Sequence, residues 1–110
     1  MISFAFAALV LAAEEPPPPP EVVTAAQAWS ACIQNGLDRS DLEQSPRSVA
    51  RQIDANCRPS SEAMIAAHRR WVERSSLSER EKRESVRSVE RSVSGMARMI
   101  ETLVRASRDD

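Results

Sequence analysis

Between Val22 and Leu103 the apolar side chains recur three and four residues apart in four successive stretches. A helix turns once every 3.6 residues, so this spacing gathers them on one helical face, whereas a half-buried strand needs strict alternation. The first stretch is Val22, Ala26, Trp29, Ile33 and Leu37, with Cys32 beside it; the second is Val49, Ile53 and Cys57. The third is Met64, Ile65, His68, Trp71 and Val72. The fourth, Val86, Val89, Val93, Met96, Ile100 and Leu103, follows an a/d heptad pattern. Two glycines, two phenylalanines and no tyrosine in 110 residues leave little with which to build a sheet. No stretch supplies a Gly-rich phosphate loop. The length suffices for one small domain.

Serine and proline punctuate the pattern. Ser45-Pro46 predicts a helix start, with serine as N-cap and proline in the first turn. Pro59 predicts a break or kink after Arg58, because the residue before proline avoids the α region, and Ser60 or Ser61 can cap the next helix. Ser78 with Glu81 fits a capping box. Helices are thus expected over residues 22–37, 46–58, 60–74 and 79–107. Residues 79–84 carry no apolar side chain and are expected to be solvated, with pairs such as Glu79–Arg83 adding a few tenths of a kcal/mol each. Gly95 lies off the fourth seam and costs about 1 kcal/mol relative to alanine. That seam can pack on the helices of its own chain or on a second copy in a homodimer. Met99, Val104, Ala97 and Ala106 widen it beyond strict a/d, which favours the intramolecular bundle.

The compartment is read from the other end of the chain. Ile2 to Leu11 holds one polar residue, and Ala12, Ala13 and then Glu14 come next. This is the layout of a signal peptide over residues 1–13, predicting a periplasmic or secreted protein. A helix this short cannot cross a bilayer core of about 30 Å, so no membrane span is expected after cleavage. Residues 14–21, with five prolines among glutamates, read as an extended acidic linker, and residues 22–110 as the helical domain. In an oxidising compartment the two cysteines predict a disulfide, and Cys32–Cys57 is the one pairing the chain allows. The expected fold is all-α: a small bundle of three to four helices with a disulfide-linked hairpin and a long C-terminal helix.

Little in the sequence points to chemistry. His68 is the single histidine and sits on an apolar stripe; a metal site needs more ligands than it and two bridged cysteines offer. No serine lies in a nucleophile elbow, so no catalytic residue, metal or cofactor is expected. Charge, however, is unevenly placed. Residues 14–57 carry three bases and seven acids, residues 58–110 twelve bases and nine acids. Arg91, Arg98 and Arg105 recur every seven residues opposite the seam, with Arg87 and Arg108 nearby. This basic ridge suits an anionic envelope component or an acidic protein partner; export argues against nucleic acid.

The run Leu77-Ser78-Glu79-Arg80-Glu81 resembles the L-T-x-x-Q motif of small periplasmic helical proteins of the stress-chaperone type, with serine for threonine and glutamate for glutamine. The resemblance covers five residues and implies a cradle-shaped helical homodimer that holds unfolded clients. The residues themselves predict an exported helical protein with a non-enzymatic binding or structural role. The chaperone-type homodimer is one alternative. A small metal-binding or hydrolytic protein centred on His68 is another, with only that histidine to stand on.

Overall fold

Serines and prolines set where the helices begin. The computed structural model describes residues 17–109, which fold into five helical segments: α1 (Pro20–Asp38), α2 (Pro46–Asn56), α3 (Arg58–Glu73), α4 (Glu79–Ser94) and α5 (Met96–Asp109). The signal peptide expected over residues 1–13 and the first part of the linker lie outside the described residues. Pro19 is extended, with φ −64° and ψ 158°, and Pro20 opens α1. The helix thus starts inside the proline run, where the missing N–H is one of the four a helix start leaves unpaired anyway. Ser45 caps α2 by accepting from the Ser48 amide at 3.1 Å. Ser78 and Glu81 cap α4 reciprocally, at 3.2 and 3.1 Å.

Two boundaries differ from expectation. α3 begins at Arg58, directly after Cys57, rather than at a serine cap. Pro59 falls in its first turn, where proline is tolerated, so the chain kinks at Cys57 and continues. The Ser61 hydroxyl instead donates to the Arg58 carbonyl at 3.0 Å. The long C-terminal helix is interrupted at Gly95, with φ −83° and ψ −6°. Cys57 has nearly the same backbone, φ −96° and ψ 6°. Neither interruption severs the hydrogen-bond ladder: the Met99 amide still donates to the Gly95 carbonyl, and the Ser61 amide to that of Cys57.

The chain is therefore two long interrupted rods, α2–α3 and α4–α5, folded antiparallel about the turn at residues 74–78. α3 lies along α4, and α2 along α5. His68 meets Ser85 near the turn, and Arg108 meets Gln44 at the far end. Interpolating between these pairs sets the Cys57 interruption opposite Gly95. The two interruptions thus fall at one level, which gives Gly95 a structural place that its position off the seam does not suggest. α1 packs along α3 and, less closely, α2. The Cys32–Cys57 disulfide, Cα–Cα 5.8 Å, fastens α1 to the rod at its interruption. Gly36 lets α1 approach α2: a Cβ there would meet Ile53 Cγ1 at 2.8 Å.

The core gathers around that joint. Val49, Ala50, Ile53, Cys57, Ile100 and Val104 form one buried cluster, with Trp29, Cys32, Ile33, Leu37 and Met96 packed against it. Away from it the molecule is thin. The radius of gyration is 17.3 Å, against about 13 Å for a compact chain of 100 residues. Neither α1 nor α4 holds a fully buried residue. Among the described residues no helix is long and apolar enough to cross a membrane.

Candidate functional site

The seam of the last rod is turned mostly inward. Ile100 is fully buried, and Val86, Val89, Val93 and Met96 are half-buried. Its last member is displaced: Val104 enters the core at 5% exposure, while Leu103 stays 52% exposed. With Met99, at 56%, Leu103 leaves an apolar strip on the outside of α5.

The basic residues run along the solvent side of the same rod. Arg87, Arg91, Arg98 and Arg105 are all exposed. Arg105 is held by Glu101 at 2.7 Å, one turn away. The other carboxylates that could neutralise the ridge are engaged elsewhere, Glu84 by Arg80 at 3.4 Å and Glu90 by Arg69 at 3.1 Å. Arg87, Arg91 and Arg98 make no ion pair among the described residues. They present three exposed guanidinium groups without ion-pair partners among the described residues over about three turns of helix. Arg108, further along the sequence, leaves the ridge. It folds back and donates to the carbonyls of Gln44 and, at 2.9 Å, Asp41, tying the end of α5 to the α1–α2 loop.

The expected solvated start of α4 holds one exception. The Lys82 side chain is only 14% exposed, and its ammonium reaches the Glu73 carbonyl at 3.3 Å, satisfying one of the free carbonyls at the end of α3. Lys82, rather than Arg83, is also the partner of Glu79, at 3.4 Å. Its spacing on α4 lies on the core side of the helix, a signal that composition alone obscures.

His68 acquires a partner that sequence distance hides. Its Nε2 lies 2.9 Å from Ser85 Oγ, across the turn and 17 residues away. The Trp71 ring stands edge-on to the imidazole at 5.5 Å. Burial pushes the His68 pKa below its ordinary 6.5, so the ring is neutral at pH 7. A neutral imidazole beside a hydroxyl is the start of a nucleophilic pair, but a working one also needs a group that orients the imidazole. Among the described residues no carboxylate bonds to His68, and no three metal-binding side chains cluster. The pair pins α3 to α4.

The depressed His68 pKa carries a sign. The unfolded chain binds the proton first as pH falls, so stability is complete above pH 6.5 and declines below it. The lowered pKa values of Glu21, bound to Arg74, and Glu81, bound to Ser78, act only below about 4.5. Urea midpoints should therefore fall between pH 7.5 and 5, and the fall should vanish in His68→Gln. A slope that survives the substitution would assign it to another group.

The motif Leu77-Ser78-Glu79-Arg80-Glu81 occupies the turn and the capping box, with Leu77 39% exposed. No family model, curated protein or solved structure matches the chain.

Proposed function

We propose that this chain is an exported, periplasmic or secreted, helical protein with a non-enzymatic binding role, and that its target is an anionic envelope component met by the outer face of α4–α5. The observation that carries the reading is the run of Arg87, Arg91 and Arg98, exposed and without ion-pair partners among the described residues, alongside exposed Met99 and Leu103. Guanidinium groups recognise phosphate bidentately, and apolar side chains beside them can enter the headgroup boundary. The disulfide is compatible with an oxidising compartment, and the apolar stretch Ile2–Leu11 supplies the export signal.

Each arginine near an anionic surface contributes about 1 kcal/mol. Sedimentation with phosphatidylglycerol vesicles should show binding that weakens as salt rises. The triple variant R87Q/R91Q/R98Q should lose about 100-fold, the equivalent of about 3 kcal/mol. Equal binding to neutral phosphatidylcholine, or no effect of the triple variant, overturns the ridge as the site. Protein from its native host should carry the intact disulfide and lack the leader; a full-length reduced product overturns the compartment.

A further inference from the structure

The turn between the rods carries a cleft of about 580 Å³, lined by none of the ridge arginines and within the range of small-molecule sites, about 300–1,000 Å³. Trp71 and Val72 from α3 and Leu77 from the turn form its apolar wall, and Arg74, Ser76 and Ser85 bring polar groups to it. The wall is preformed. Val72 is 3% exposed, and Trp71 stands edge-on to His68, itself bonded to Ser85. Leu77 remains 39% exposed, with apolar surface that nothing among the described residues covers completely.

The one cationic group on the cleft, Arg74, already holds a carboxylate. Glu21, at the start of α1, accepts from its guanidinium at 2.6 Å. Both side chains are largely exposed, 63% and 47%, so water screens the pair and it holds the two groups together only weakly. Glu21 is therefore a partner that another anion can displace.

We propose that this cleft binds an amphiphile with an alkyl chain and a carboxylate head, the chain lying on Trp71 and Leu77 and the head replacing Glu21 on Arg74. The chain supplies affinity by leaving water, and the guanidinium fixes orientation and sign of charge. Burial of Leu77 on binding completes a wall that the free protein leaves open.

Trp71 reports on the site directly. In a Trp29→Phe background, which leaves it as the single tryptophan of the described residues, dodecanoate below its micellar concentration should change the fluorescence saturably. Dodecanol and dodecyltrimethylammonium, which keep the chain and change the head, should bind at least tenfold more weakly. Arg74→Gln should cost at least tenfold, and Glu21→Gln should tighten binding by removing the competing carboxylate. A merely structural Arg74–Glu21 pair predicts the same direction for both variants, so opposite directions are diagnostic. The R87Q/R91Q/R98Q variant should bind as the parent does. An unsaturable signal, equal binding of the three dodecyl compounds, or weakening by Glu21→Gln overturns the proposal.

Discussion

Replacing Cys32 and Cys57 together with alanine should lower the unfolding free energy by roughly 3.5 kcal/mol, the loop-closure entropy for residues 25 apart. The loss is large against the 5–15 kcal/mol typical of whole domains. This chain has little to offset it. Among the described residues nine buried apolar side chains make up its core, and three of those are alanine or cysteine. The bridge also holds α1, which has no fully buried residue of its own, against the joint where both rods are interrupted. Alanine is the better replacement, because Cys57 is 2% exposed and a serine hydroxyl there would need a partner. Urea unfolding of the oxidised parent and the double variant decides the matter. Coincident midpoints would show that packing alone holds α1 in place.

Ile100→Ala should cost about 3–4 kcal/mol, within the 2–5 kcal/mol range for truncating a buried aliphatic residue. Ile100 is the most buried side chain of the cluster and lies among residues of α2 and α5, close to the covalent clamp. Neighbours held in this way cannot collapse far into the cavity, which places the cost in the upper part of the range. Leu103→Ala, three residues on and 52% exposed, should cost under about 0.5 kcal/mol. Thermal unfolding of the two variants, at several protein concentrations, distinguishes a core within one chain from a seam between two. If the last rod pairs with a copy of itself through Leu103, that variant loses stability in a concentration-dependent way. If it does not, only Ile100→Ala is affected.

The contrast between Ile100 and Leu103 shows where periodicity stops being informative. The a/d pattern continues from one to the other, as a supercoiled helix requires. A straight helix drifts by about 20° per heptad relative to that repeat, so the buried row steps to Val104. Signals confined to a few residues are more secure. Ser45 with Pro46, and Ser78 with Glu81, make local hydrogen bonds that do not depend on the rest of the chain. The cysteine pairing is legible because the chain offers one choice.

Contacts made through the turn are not legible. His68 and Ser85 meet because of where residues 74–78 reverse the chain, and neither residue type advertises the other. Arg108 reads in sequence as a continuation of the ridge, yet the end of α5 lies beside the carbonyls of the α1–α2 loop and its guanidinium turns inward. The cleft beside Trp71 is likewise hidden, since its lining comes from two helices and the turn between them.

The single lysine of the chain has a practical consequence. With Lys82 tucked against a backbone carbonyl and every other base an arginine, amine-directed reagents find almost nothing to attack on the outer face of α4–α5. Cross-linking surveys built on such reagents will pass over any complex formed there, and capture of a bound target calls for chemistry aimed at guanidinium or carboxylate groups instead.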